Sequence, residues 1–138
     1  MNTLTRHTDT VTVRQTSDIV LARSSARALA ARLGFGKADQ TRMATAVSEL
    51  TRNVIMYAGS GQCNISDTSD AEFNRIEITV EDHGPGIADI ELAMQDGYST
   101  GGSMGAGLAG TRRLVDDFSL QSVPGLTKIT VSLSLRRV

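Results

Sequence analysis

The spacing of hydrophobic positions changes period several times along the chain, and each change marks an element. "DTVTVR" (9–14) alternates and reads as an edge strand. In "SDIVLARSSARALAARLGF", Ile19, Ala22, Ala26, Leu29, Ala30 and Leu33 recur at helical spacing, which predicts an amphipathic helix with Ser17 as N-cap and an end near Gly34. A second helix is expected to begin at Ala38 or Asp39 and to stop at Gly59. Its inner stripe is Met43, Ala46, Val47, Leu50, Val54 and Ile55. Alternation returns in "QCNISDTS" and "FNRIEITVED", which fit a hairpin around "DTSDAEFN". A short helix over "ADIELAMQ" leads into "DGYSTGGSMGAGLAG", the one glycine-rich tract, and a helix "AGLAGTRRLVDDF" follows it. "SLQSVPG" and "LTKITVSLSL" close the chain as two strands joined by a Pro-Gly turn.

This order separates the helices from runs of adjacent strands, which favours an α+β two-layer sandwich over a doubly wound sheet. The expected architecture is a mixed sheet with helices on one face. No internal repeat or linker is visible, and 138 residues with 40% hydrophobic content suit one core, so residues 1–138 are read as a single domain.

Composition removes several function classes. Fourteen Lys and Arg against fifteen Asp and Glu give a formal charge of -1, and aromatic residues make up 4%, so neither charge nor stacking surface argues for nucleic acid or an anionic membrane. No apolar run approaches membrane-spanning length, and "MNTLTRHTDT" lacks the apolar stretch of a signal peptide. Cys63 is the single cysteine, which rules out an internal disulfide and fits a reducing cytoplasm. The expectation is a soluble cytoplasmic protein whose specificity lies in a local site.

Three stretches carry candidate chemistry. Glu49 and Asn53 in "SELTRN" are four residues apart and share a helix face beside the apolar stripe. A carboxylate there could accept a proton from an attacking hydroxyl, and an Asn carbonyl is a neutral oxygen ligand for a hard cation such as magnesium. The plain alternative is a solvated face with Glu49 paired to Arg52 or Arg42. Asp82, at the end of "RIEITVED", could accept a hydrogen bond from the exocyclic amine of a base lying over Gly84 and Gly86, or could simply cap the next turn. "GGSMGAGLAG" (101–110) exposes successive backbone N–H groups before a helix N-terminus, which suits a polyphosphate; a flexible surface loop is the competing reading, and the GK[ST] ending of a P-loop is absent.

In this order, "SELTRN", "EDHGPGI" and "GGSMGAGL" resemble the N, G1 and G2 boxes of the GHKL (Bergerat-fold) ATPase superfamily. "TAVSELTRNVIMYAG", "VEDHGPGIADIELAMQDGYST" and "GAGLAGTRRLVDDF" are similar, more narrowly, to the RsbT-type switch kinases of bacterial stressosome modules. The resemblance implies ATP and magnesium as cofactors. It gives Asp82 the adenine amine, Gly84 and Gly86 the shape of the base pocket, Asn53 the magnesium ion and Glu49 the role of general base. Gly105 and Gly107 would hold phosphates, and Ser99, Thr100 and Gly102 would form the lid. Thr127 would support the adenine pocket, although "PGLTKIT" departs from the family's usual Gly-Thr pair by the inserted Leu126.

The implied activity is phosphorylation of a serine or threonine on STAS-domain partners, both antagonist and scaffold proteins. The free kinase would activate a regulatory serine phosphatase. Autophosphorylation in the manner of a histidine kinase lacks a phosphoacceptor helix, because the histidines are His7 and His83. Three other readings compete: an anti-sigma factor serine kinase that sequesters a sigma factor, a methyltransferase, and a nucleotide-dependent binding module without turnover. The methyltransferase explains neither Glu49 with Asn53 nor the glycine-rich tract at 101–110.

Overall fold

The computed structural model describes residues 8–88, 90–95 and 107–138. The elements are β1 (Thr8–Val13), α1 (Thr16–Arg32), α2 (Lys37–Tyr57), β2 (Gly61–Asp67), β3 (Phe73–Asp82), α3 (Ile90–Ala93), α4 (Gly107–Leu114), β4 (Asp117–Val123) and β5 (Leu126–Arg136). The expected lid stretch, with Ser99, Thr100, Gly102 and Gly105, lies outside the described residues.

Five strands form one sheet in the order β1-β2-β3-β5-β4. The two-layer α+β architecture is as expected, but every neighbouring pair is antiparallel, where the sequence reading expected a mixed sheet. The cause is topological. After β3 the chain crosses over through α3 and α4 to β4, which runs in the same direction as β3; the β4–β5 hairpin then inserts β5 between them. The strands that share a direction are therefore never neighbours.

Alternation along the strands decides which side is covered. On β3, Ile76, Ile78 and Val80 are buried and the residues between them are only partly so. They meet Cys63 and Ile65 from β2, Ile129, Val131 and Leu133 from β5, and the inner faces of α1 and α2. Burying each large aliphatic side chain contributes about 1.5–3 kcal/mol, so this layer is the main source of stability. On α1 the buried face is largely alanine (Ala22, Ala26, Ala30), which lets it pack closely beside α2. The central helix α2 is buried on most of its circumference, and Ser48 and Thr51 turn their hydroxyls back to the Ala44 and Val47 carbonyls at 2.9 and 2.7 Å.

Two boundaries differ from the sequence reading. Gln15, not Ser17, precedes α1, because the Asp18 carboxylate reaches back to accept from the Arg14 and Gln15 N–H groups at 2.9 and 3.1 Å. The last helix ends at Leu114, short of the expected Phe118. Pairing with β5 wins there: Asp117 and Phe118 register with Ser132 and Val131, and Asp116 accepts from the Ser134 N–H at 2.8 Å.

Candidate active site

One cross-strand row at the end of the sheet gathers several of the predicted residues. Asp82 registers with Gly61 on β2 and with Thr127 on β5, and Thr127 registers with Ser122 on β4. Asp82 continues the parity of Ile76, Ile78 and Val80, so this row faces the helix layer. It lies under the last turns of α2. A Cβ on Gly61 would come within 2.8 Å of Val54 Cγ1 and 2.5 Å of the Glu81 carbonyl oxygen. The helix therefore sits on bare backbone there.

Asp82 does cap the following turn: its Oδ1 accepts the Gly84 N–H at 3.0 Å. That bond fixes the carboxylate and leaves Oδ2 for a further donor. Thr127 is buried, at 7% exposure, despite the inserted Leu126 that separates it from Gly125. Its hydroxyl lies 2.7 Å from that of Ser122, which in turn accepts the Ile87 N–H at 2.8 Å.

Gly84 and Gly86 were expected to clear room for a flat ligand. Both also have a packing role. A Cβ on Gly84 would meet Ala58 Cβ at 2.6 Å, and one on Gly86 would meet the Val123 carbonyl oxygen at 2.6 Å. Gly86 also has φ +84°, which favours glycine. With the Gly125 N–H donating to the Gly84 carbonyl at 3.0 Å, the loop after β3 is strapped both to the end of α2 and to the β4–β5 turn.

On α2, Glu49 is nearly buried and Asn53 partly exposed. Helical geometry places both on the flank opposite Ala44, Ser48 and Thr51. Arg52 donates to Glu49 Oε2 at 2.7 Å, the pairing considered as the alternative role for this acid. The ion pair holds one carboxylate oxygen and leaves Oε1. Gly107 opens α4, which is anchored against α2 and the core by Leu108 and Ala109; Thr111 donates to the Gly107 carbonyl at 3.0 Å. The described part of the glycine-rich tract thus abuts the helix that carries Glu49 and Asn53.

A family model, the histidine kinase-like ATPase domain, matches residues 12–133. The chain belongs to the histidine kinase-like ATPase family. Within this family, the chain is 53% identical over 108 residues to the serine/threonine-protein kinase RsbT of Bacillus subtilis (strain 168), covering 78% of this chain and 81% of that protein. It is 32% identical over 108 residues to the anti-sigma F factor of Bacillus licheniformis, covering 75% of this chain and 74% of that one. Among solved structures, the RsbU and RsbW domains of Rv1364c from Mycobacterium tuberculosis share the fold, with a TM-score of 0.67 at 16% identity over 96% of this chain and 33% of that one. Membership implies ATP binding and removes the methyltransferase reading.

Four contributors had little or no sequence signal: Ser122, Gly61, Ala58 and the bond between Ser122 and Ile87. Serine in an alternating edge strand looks like any solvent-facing position, and Gly61 and Ala58 read as ordinary helix-to-strand punctuation. Among the described residues no group of three or more His, Cys, Asp or Glu side chains is arranged to hold a metal ion. No helix of the described residues is long and apolar enough to cross a membrane.

Proposed function

We propose that the chain is an ATP-dependent serine/threonine kinase that phosphorylates STAS-domain regulatory proteins in a bacterial partner-switching (stressosome) module, and that the free kinase activates a regulatory serine phosphatase. The kinase assignment rests on the 53% identity to RsbT. The observation that carries the site is the row at the sheet end, where the fixed Asp82 carboxylate stands beside the buried Thr127 hydroxyl under the helix that bears Glu49 and Asn53. We take residues 1–138 as one catalytic unit working in the cytoplasm on protein hydroxyls, not on nucleic acid or membrane.

The residues present fit ATP and magnesium. Asp82 Oδ2 accepts from the adenine amine while Gly84 N–H keeps the carboxylate in place. Asn53 offers one oxygen to magnesium, an ion that commonly takes few protein ligands and completes its shell with phosphates and water. Gly107, and Gly105 before it, present backbone N–H groups to phosphate oxygens, while Ser99, Thr100 and Gly102 belong to the lid. Bound Mg-ATP supplies the γ-phosphoryl group and part of the charge neutralisation. Glu49, oriented by Arg52, uses Oε1 to position and deprotonate the incoming serine or threonine hydroxyl. After transfer, the new phosphate on the partner lies near Glu49, and like-charge repulsion favours release.

Mass spectrometry of a purified STAS-domain protein incubated with this chain and Mg-ATP tests the reading. Serine or threonine phosphate on the partner, absent with Glu49→Gln, is expected. An unmodified partner, or phosphate on His83 of this chain, would overturn it. The second reading, an anti-sigma factor kinase, is favoured by the 32% identity to an anti-sigma F factor. Stable co-elution with a purified sigma factor would support that alternative.

A further inference from the structure

We infer that Ser122 is a positioning residue for base selection: held by the Ile87 N–H, it donates its own proton to Thr127 and so turns the Thr127 hydroxyl proton toward the base beside Asp82. This rests on the reading of the Asp82–Thr127 end of the sheet as the base pocket.

The distance lets either hydroxyl donate, and counting protons and acceptors with a base in the pocket chooses between them. A hydroxyl has one proton and two acceptor lone pairs. One lone pair of Ser122 Oγ is taken by the Ile87 N–H at 2.8 Å, and the Thr127 hydroxyl is 2.7 Å away. Among the described residues no other side-chain hydrogen bond of Ser122 is present, so Thr127 Oγ1 is the protein acceptor available to its proton. Donation the other way would leave the Ser122 proton without a protein acceptor and turn the Thr127 proton away from the pocket, whereas donation from Ser122 leaves the buried Thr127 proton for the base, the acceptor that the pocket reading supplies. The series Ile87 N–H, Ser122 O–H, Thr127 O–H is therefore polarised in one sense, each donor strengthening the next.

Its end point matters because of the neighbour. Thr127 and Asp82 are registered partners on β5 and β3, a relation that sets their Cβ atoms about 4.5–5.5 Å apart. The pocket thus presents a donor beside an acceptor. Adenine offers the complement, a ring nitrogen acceptor beside an amine donor, while guanine carries an oxygen acceptor where adenine has its amine. A guanine in this pose would set its oxygen against the carboxylate and its ring N–H against the Thr127 proton. Unpaired or like-polarity contacts of this kind are what reject near-isosteres.

The experiment compares calorimetric affinities for Mg-ATP and Mg-GTP in the wild type, Ser122→Ala, Ser122→Thr and Asp82→Asn. With Ser122→Ala the Thr127 proton is free to rotate, so ATP affinity should fall about five- to tenfold, the scale of one hydrogen bond, with GTP affinity unchanged. Ser122→Thr, which keeps the hydroxyl, should restore the ATP-to-GTP ratio. Equal losses for both nucleotides would make Ser122 a brace for the loop and overturn the relay, as would unchanged values for both. If Asp82→Asn keeps full ATP affinity, the pocket reading and the relay fall together. If Asp82→Asn loses ATP while Ser122→Ala keeps the ratio, the relay alone falls. Should Ser122→Ala not fold, Ser122→Cys, a weaker donor of similar shape, replaces it with the same expected loss of ratio.

Discussion

Asp82 and Thr127 are registered neighbours on adjacent strands, so the carboxylate and the buried hydroxyl face the helix layer side by side. The turn that fixes Asp82 uses only Oδ1, as acceptor for the Gly84 N–H. An asparagine can keep that bond through its carbonyl. What it cannot keep is an acceptor for the adenine amine, since its NH2 group donates. Asp82→Asn should therefore fold normally and lose ATP affinity by about 1.5–3 kcal/mol, the value of a hydrogen bond to a charged group. Calorimetry alongside thermal denaturation checks both halves, and unchanged affinity would move the base elsewhere.

Glu49 and Arg52 form an i,i+3 ion pair at 2.7 Å on a helix flank where the acid is nearly buried and the arginine is 42% exposed along its side chain. An exposed partner of this kind contributes little to stability, about 0–1 kcal/mol. Its effect is on orientation. Glu49→Gln should leave Mg-ATP affinity intact and slow phosphoryl transfer by about 10²–10⁴-fold. Asn53→Ala should instead weaken nucleotide binding only when magnesium is present. Single-turnover transfer and binding measured on the same preparations separate the two, and a matching loss of affinity in both would mean that the base has been misassigned.

Much of this was legible before the fold was known. Periods of two and of three to four residues placed the main elements, because burial on one side of a sheet or helix leaves that imprint on composition. Glu49, Asn53 and Asp82 stood out as polar residues in apolar surroundings. Less legible were features created only by pairing. The serine at 122 acquires its role because β4 happens to align it with Thr127 and because the loop brings the Ile87 N–H to it. Similarly, the all-antiparallel sheet depends on β5 entering between β3 and β4, which no local pattern records. Asp117 and Phe118 looked helical because their neighbours do; the hydrogen bonds of an edge strand decided otherwise.

Gly59 after α2 and the two glycines after β3 permit a graded test of why they are glycine. Gly59 has φ +85° with open space around its missing Cβ, Gly84 faces Ala58 at 2.6 Å, and Gly86 combines φ +84° with a 2.6 Å approach to Val123. Gly59→Ala should cost about 1–2 kcal/mol from backbone conformation alone. Gly84→Ala should cost about 1–3 kcal/mol from overpacking. Gly86→Ala bears both and should be the most destabilised, by about 2–4 kcal/mol. Urea denaturation of the three variants gives the ranking; a Gly86→Ala protein as stable as Gly59→Ala would show that the loop lifts off β4 without penalty.

Cys63 offers a pH test of the core itself. It is fully buried on β2, registered between Val11 of β1 and Val80 of β3, and burial pushes its thiol from 9.0 up to about 12. The cause is desolvation, which disfavours the thiolate in the folded chain. Because the folded value is raised above the unfolded one, the neutral thiol's contribution is fully present below about pH 9 and is lost as pH climbs toward 12. The unfolded chain releases the proton first, so stability should fall by about 1.4 kcal/mol per pH unit within that window. Other groups titrate there too, which makes Cys63→Ala the reference: it carries a constant cavity cost but no thiol. The stability advantage of the wild type over Cys63→Ala, measured in urea at pH 8, 9 and 10, should therefore shrink between pH 9 and pH 10. A difference that stays constant across that range would mean that the thiolate is accommodated in the fold, and that the sheet-to-helix interface around Cys63 opens to water more readily than its packing implies.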